Sequence, residues 1–219
     1  METNTEKNQT SQSMSLKQTM NRGLALPITN REIKNTLYAF YKREVEKRKN
    51  TFILTDEIKQ NLSDVGDFLT TETRFYGLFF PGKIGNGKTT MLKAIRDLFV
   101  YLTDTNKIRF CEGDKYPRFV SAREMANVAK DPIDFRVLKD TRYLLIDDLC
   151  EEPTEVVSFG NCIYPFVELI EYRYENMLPT FISSNFRAAD ISAKYGNRRI
   201  GDRMKEMFKI VSFKEESFR

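Results

Sequence analysis

The chain of 219 residues contains no histidine and no tryptophan, and it has three cysteines. Histidine is the side chain that most often serves as a general base or a metal ligand near neutral pH. Its absence excludes histidine-activated nucleophiles and histidine metal sites from the whole chain. Any chemistry must therefore use carboxylates, lysine, arginine, amides or a bound metal ion.

The cysteines, Cys111, Cys150 and Cys162, are odd in number and lack the spacing of metal ligands. They predict reduced thiols, with neither a disulfide framework nor a zinc site. Residues 1–20 have no basic start and no apolar stretch, so they do not resemble a signal peptide. No apolar run reaches the length of a membrane span. We therefore expect a cytoplasmic protein with no membrane partner.

Hydrophobic residues make up 41% of the chain and charged residues 30%, which is typical of globular proteins. Residues 1–28 have few apolar side chains and predict a disordered tail. Residues 29–70 predict a short helical extension, and Thr29-Asn30 is the expected N-cap of its first helix. Its first helix is basic and amphipathic. We expect one apolar stripe to pack on the main domain, with DNA or partner binding as the alternative.

A glycine-rich loop carries the strongest chemical signal. It reads Gly-Lys-Ile-Gly-Asn-Gly-Lys-Thr over residues 82–89, after an apolar strand at 76–80 and before a helix. In this pattern, backbone N–H groups surround phosphates at a helix N-terminus. Lys88 is expected to contact the β and γ phosphates, and Thr89 to bind Mg²⁺. The predicted nucleotide-binding residues are Gly82, Lys83, Ile84, Gly85, Asn86, Gly87, Lys88, Thr89 and Thr90.

A second apolar strand, at 143–147, ends in Asp147 and Asp148. In a parallel sheet its carboxyl end lies at the same edge as the phosphate loop. We predict that Asp147 binds the metal and that Asp148 orients or deprotonates the attacking water. The alternative is an apolar strand that ends in a solvated acidic turn.

Two further features point to the same site. The strand at 180–184 is followed by Asn185, whose amide can contact both a γ-phosphate and a water, although capping of the next helix is the alternative. Arg199 and Arg203 lie four residues apart on a predicted helix. An arginine inserted into a neighbouring subunit's site stabilises transition-state charge. Surface salt bridges are the alternative for both arginines.

The alternation of strands and helices predicts an α/β, P-loop NTPase fold over residues 71–219. We expect a three-layer fold with a five-stranded, mostly parallel sheet and helices on both faces. A strand and helix at 118–130 separate the phosphate-loop strand from the acidic strand in the sequence. By analogy between folds, this order argues against the layouts of nucleotide kinases and small GTPases.

With these motifs in place, the chain resembles the DnaC/IstB-like branch of the AAA+ ATPases, which comprises helicase loaders and transposition helpers. The resemblance covers about residues 70–219 and is most specific in the runs 182–185, 191–196, 199–204 and 217–219. It implies a Walker A loop at 82–89 and a Walker B strand that ends at Asp147 and Asp148. It also implies a sensor 1 role for Asn185 and a sensor 2 role for Arg219.

The resemblance further implies that Arg203, with Arg199 beside it, acts as an arginine finger in ATP-bound oligomers. The catalytic residues that it implies are Lys88, Asp148, Asn185, Arg199 and Arg203. The chain departs from the family pattern at Asp148, where many AAA+ proteins have glutamate, and at Cys150, where loaders usually have glycine. Residues 151–162 also look unlike those of the loaders.

We therefore predict an ATP- and Mg²⁺-dependent AAA+ ATPase that resembles DnaC-type helicase loaders and acts in DNA replication by remodelling a DNA-bound partner. Self-association through nucleotide interfaces is expected. DNA, with single strands favoured, and a replicative helicase or a transposase are the expected partners. One alternative is an IstB-like transposition helper, and another is a nucleotide-switch binding module with little hydrolysis.

Overall fold

The computed structural model describes residues 24–108 and 116–214. The helices in these ranges are α1 Asn30–Glu46, α2 Asp56–Thr70, α3 Lys88–Asp104, α4 Ala122–Val128, α5 Pro132–Asp140, α6 Pro165–Glu175, α7 Ala188–Lys194 and α8 Arg198–Met207. The strands are β1 Gly77–Pro81, β2 Arg118–Ser121, β3 Leu144–Leu149, β4 Val156–Ser158, β5 Asn161–Ile163, β6 Thr180–Ser184 and β7 Phe208–Ile210. None of the described helices is long and apolar enough to cross a bilayer.

The main sheet has five strands in the order β2-β3-β6-β1-β7. Each of its pairings is parallel. The predicted α/β fold, with its five-stranded sheet, is confirmed. Strand β6 lies between β1, which precedes the glycine loop, and β3, which ends in the two acids. Because parallel strands end at one edge, this order brings the loop, the acids and Asn185 to the same edge.

Two apolar clusters cover the two faces of the sheet. Leu78 and Phe80 of β1 face the cluster formed with α1, α2 and α3. Phe79, between them, faces the cluster that includes α4, α5, α6 and α8. All three side chains are fully buried. A strand that is buried on both faces has a nearly continuous apolar sequence, so such strands can be predicted from the sequence.

The first helix of the extension packs on α3 and α2. Its N-cap is Thr29, whose hydroxyl accepts a hydrogen bond from the Glu32 N–H. Its buried stripe is Ile33, Leu37 and Tyr41. Much of its basic charge is paired within the chain: Lys34 with Asp67, Lys42 with Glu46, Arg43 with Asp97 and Lys47 with Glu44. This pairing favours the packing role over DNA binding by this helix.

Residues 1–23 of the predicted tail lie outside the described residues. The prediction of disorder is wrong for residues 24–28. Leu24 and Leu26 are buried in the same cluster as α2 and α3. The Leu26 N–H donates to the Leu69 carbonyl at 2.8 Å. These two leucines, with Ile28 packed beside them, show that residues 24–28 pack on the domain instead of forming part of a disordered tail.

The sequence analysis did not predict helix α5 or the antiparallel β4–β5 hairpin. The hairpin turns at Phe159 and Gly160, whose φ values are 47° and 82°. Each of its strands is three residues long, too short for a clear alternating pattern. The last strand, β7, spans Phe208–Ile210, and Phe213 beyond it makes an isolated bridge to Gly82.

Candidate nucleotide-binding site

The glycine loop joins the end of β1 to the start of α3. Gly85 and Gly87 have φ values of 88° and 97°, in the left-handed region that favours glycine. A Cβ at Gly87 would lie 2.3 Å from the hydroxyl oxygen of Tyr41. Gly87 is the N-cap of α3 and offers no side chain to cap its first turn. Such a helix N-terminus is a favourable position for a phosphate.

Lys88 is buried at the centre of the loop. Its ammonium donates to the carbonyls of Gly82, at 2.8 Å, and Lys83, at 2.6 Å. It also donates to the side-chain oxygens of Asn86, at 3.2 Å, and Asn185, at 3.1 Å. Burial lowers the pKa of Lys88, although the nearby acids oppose the shift. The structure thus brings together Lys88 and Asn185, which lie 97 residues apart.

Asp147 lies against the first turn of α3. Its Oδ1 accepts from the Thr89 hydroxyl at 3.0 Å and from the Ser183 hydroxyl at 2.5 Å. A hydroxyl and a carboxylate this close are the oxygen ligands that Mg²⁺ uses in phosphate sites, so the two predicted metal ligands fit that ion. Within the described residues, no group of three or more histidine, cysteine or acidic residues is placed to hold a metal. Phosphate and water would complete its shell.

Asp148 follows in a backbone conformation with φ 55°, which aspartate and asparagine adopt more readily than most residues. Its N–H donates to the Ser183 hydroxyl at 2.9 Å. Burial raises the pKa of Asp148, and the charge of Asp147 adds to this rise while Lys88 opposes it. A carboxylate with a raised pKa is a stronger base, which suits proton transfer from water.

A cavity of about 710 Å³ lies beside the loop. The predicted residues that line it are Ile84, Gly85, Asn86, Gly87, Lys88, Thr89, Thr90, Asp148 and Asn185. A second wall comes from the extension, through Tyr41, Val45, Arg48, Asn50, Thr51, Phe52, Ile53 and Ile58. The sequence analysis missed this wall. The pair Phe52 and Ile53, apolar residues within a linker between helices, was the available signal.

Two polar residues of the site have roles that the sequence did not reveal. Ser183 bonds to both acids of β3, as described above, because it lies on the adjacent strand β6. Asn86, predicted as a phosphate-loop residue, also donates to the Phe213 carbonyl at 2.8 Å. It thus joins the loop to the segment after β7. Both contacts depend on residues distant in sequence, so local patterns do not contain them.

The two predicted arginines do not line this cavity. Arg203 is paired with Glu171 and lies over the ring of Tyr174, 5.4 Å from its centroid. Arg199 is exposed and lines a separate cleft of about 550 Å³ together with Tyr195. Within the described residues of one chain, neither arginine is brought to the phosphate loop. Arg219 lies outside the described residues.

Replacing Asp148 by asparagine is expected to raise the thermal unfolding midpoint at neutral pH. Because its pKa is raised in the folded protein, stability falls as the pH rises from the usual 3.8 through the raised value. The asparagine variant has no such loss. Its unfolding midpoint should therefore exceed that of the wild type increasingly as the pH rises through this range, and the difference should vanish below pH 3.8. Thermal unfolding measured from about pH 3 to pH 8 tests this sign.

Asp97→Asn provides a control of opposite sign. Burial raises the pKa of Asp97, but hydrogen bonds from Arg96 and Arg43 lower it overall. Asparagine there should be destabilising at neutral pH, with a cost that fades as the pH falls through the lowered pKa. If both variants move the midpoint in the same direction at neutral pH, the electrostatic explanation for Asp148 is wrong.

Comparisons with known proteins place this geometry in context. No family model matches the chain. Over 132 residues, or 58% of this chain, the sequence is 29% identical to the replicative helicase loader DnaI of Bacillus subtilis (strain 168). This match spans 39% of the length of that protein.

Two solved structures have the same fold. The crystal structure of DnaI matches with a TM-score of 0.55 at 21% identity, over 74% of this chain and 87% of that chain. The crystal structure of the DnaC helicase loader matches with a TM-score of 0.52 at 20% identity, over 74% of this chain and 93% of that chain. The chain therefore shares the α/β fold of these two structures, and its predicted resemblance to DnaC-like helicase loaders is confirmed.

Proposed function

We propose that this chain binds and hydrolyses ATP with Mg²⁺ and acts in DNA replication as a loader of the replicative helicase. The observation that carries the proposal is the convergence of four groups at one sheet edge. Lys88 bonds to Asn185 on one side of the loop, and Thr89 bonds to Asp147 on the other. A lysine, a sensor amide, a hydroxyl and a carboxylate in this arrangement match the requirements of phosphoryl transfer.

In the proposed complex the phosphates lie at the N-terminus of α3. Lys88, which bonds to loop carbonyls in this structure, would turn its ammonium to the β and γ phosphates. Thr89 and Asp147 would hold Mg²⁺, which neutralises phosphate charge when bound. Asp148 would orient the attacking water and accept its proton, and Asn185 would contact the γ-phosphate.

The base and sugar would occupy the part of the cavity walled by the extension. Phe52 and Ile53 offer apolar surface there, and Arg48 and Asn50 offer polar groups. We retain the division into an extension at 29–70 and an ATPase domain at 71–219 as a proposal. In this proposal the extension completes the nucleotide site as well as packing on the domain.

Self-association would complete the site in trans. Arg199 is exposed on α8, so a neighbouring copy can receive it without rearrangement. Arg203 would first have to leave Glu171, since its side chain is 17% exposed in that ion pair. We therefore propose Arg199 as the first arginine to reach a neighbour's phosphates, with Arg203 supporting it and Arg219 as the terminal sensor.

The choice of partner rests on the relatives. Both DnaI of Bacillus subtilis and DnaC are named as helicase loaders. This favours a replicative helicase over a transposase as the protein partner, with single-stranded DNA as a further ligand and the cytoplasm as the site of action.

Loading of the replicative helicase from the same cell onto single-stranded DNA circles tests the proposal. With ATP, the wild-type chain should increase the amount of helicase bound to the circles. Asp148→Asn should retain ATP binding but lose about 10²-fold in turnover, because the variant lacks the base. Asp134→Asn, at an exposed acid of α5, is the matched control.

Two outcomes would change the conclusion. If the wild-type chain neither turns over ATP nor increases helicase loading, the proposed function is wrong. If Asp148→Asn loads helicase as well as the wild type while its turnover is lost, ATP acts as a switch and hydrolysis is dispensable for loading.

A further inference from the structure

A buried carboxylate, Glu152, lies four residues beyond Asp148, in the turn that follows the acidic strand β3. Glu152 is only 3% exposed. Its Oε2 accepts from the Cys150 N–H at 2.9 Å, and its Oε1 accepts from the Tyr195 hydroxyl. Burying a carboxylate is costly unless donors satisfy it. The two donors come from different segments, so Glu152 joins those segments.

The first segment is the turn that carries Asp148. Asp148 and Cys150 both have positive φ values, 55° and 80°. Residues other than glycine adopt this conformation at a cost, and they keep it where surrounding contacts impose it. Ser183 accepts from the Asp148 N–H, and Ser184 donates to the Leu149 carbonyl at 2.7 Å. The contact from Cys150 to Glu152 completes this series of contacts along the turn.

The second segment leads to the arginines of α8. Tyr195 is the C-cap of α7, and its ring packs on Phe166 with centroids 4.8 Å apart. Asn197 caps α8 two residues later, and the exposed Arg199 lies in the first turn of that helix. Burial raises the pKa of Tyr195 above its usual range, so its hydroxyl remains a donor at neutral pH.

We propose that Glu152 and Tyr195 are positioning residues that couple the Asp148 turn to the start of α8. The hydrogen bond between them is a direct contact from the turn that follows the candidate base to the segment that carries Arg199. Tyr195 and Arg199 also line one cleft, so a molecule seated there would act on the same segment. The catalytic consequence of this coupling rests on the proposed ATPase function.

Tyr195→Phe removes the hydroxyl and leaves the buried Glu152 carboxylate with only one of its two donors, the Cys150 N–H. We expect this variant to lower kcat for ATP by about tenfold while KM changes less than about twofold, because the base is misplaced and the phosphate loop is intact. Glu152→Gln in the same background should restore kcat to within about threefold of the wild type. A neutral glutamine still accepts from Cys150 and carries no charge.

Tyr172→Phe is the matched control. Its hydroxyl also donates to a carboxylate, Asp140, at the end of α5. This variant should keep the wild-type kcat. Wild-type turnover in Tyr195→Phe, or failure of the glutamine to restore it, would overturn the proposal for catalysis.

Hydrogen exchange of backbone amides tests the coupling without any turnover. In Tyr195→Phe, exchange should rise at residues 148–152 as well as at 195–199, and Tyr172→Phe should change neither. Faster exchange confined to 195–199 would overturn the coupling. If the wild type has no ATPase activity but exchange rises in both segments, the coupling stands and the proposed function fails.

Discussion

An alanine at position 88 is expected to lower the rate of ATP turnover by about 10³-fold and to weaken ATP binding. Lys88 brings a buried ammonium to the centre of the loop, within hydrogen-bonding distance of Asn185 and near both acids. Its charge acts in a site shielded from water, where it stabilises phosphate charge more strongly than at the surface. Phosphate release and binding of a fluorescent ATP analogue provide the measurements.

Lys93→Ala, on the same helix α3, is the charge-matched control for Lys88. It lies outside the residues that line the cavity, so turnover should stay close to wild type. If Lys88→Ala binds and hydrolyses ATP as well as the wild type, the loop does not bind phosphates and the proposed function loses its basis.

Methionine in place of Arg173 is expected to lower the free energy of unfolding by about 3–5 kcal/mol. Arg173 is fully buried. Its guanidinium donates to the Thr180 hydroxyl and to the backbone carbonyls of Lys139, Thr141, Arg142 and Pro179. Methionine fills similar space but leaves those carbonyls without their donor.

Denaturant unfolding of Arg173→Met and Arg136→Met makes the comparison. Arg136 lies on the surface of α5 with a side chain that is 83% exposed, and its ion pair with Asp140 should contribute less than about 1 kcal/mol. Arg173 holds the amino ends of β3 and β6, opposite the nucleotide edge, so ATP turnover per folded molecule should persist. A loss below about 1 kcal/mol for Arg173→Met would contradict this explanation.

The core of the site could be predicted from the sequence because its residues lie in short contiguous runs. The glycine loop follows β1, the two acids end β3, and Asn185 follows β6. Parallel strands deliver such residues to a common edge, so predicting the strands was enough to predict the meeting of Lys88, Asp147 and Asn185.

The arginines show the limit of that reasoning. Helical spacing predicted that Arg199 and Arg203 lie on one helix, which the structure contains as α8. Spacing does not reveal that Glu171 of α6 pairs with Arg203 while Arg199 is exposed. That difference depends on how two helices pack, since the partners lie 32 residues apart.

The sequence by itself determined the α/β class, the phosphate loop and the acidic strand, because local spacing and apolar runs encode strands, helices and glycine turns. Tertiary structure decided which distant residues meet. It placed the extension against the cavity, Ser183 between the two acids, and Tyr195 on Glu152. These contacts arise when separate elements bury their apolar faces together, and no local pattern specifies which polar side chains that packing brings within hydrogen-bonding distance.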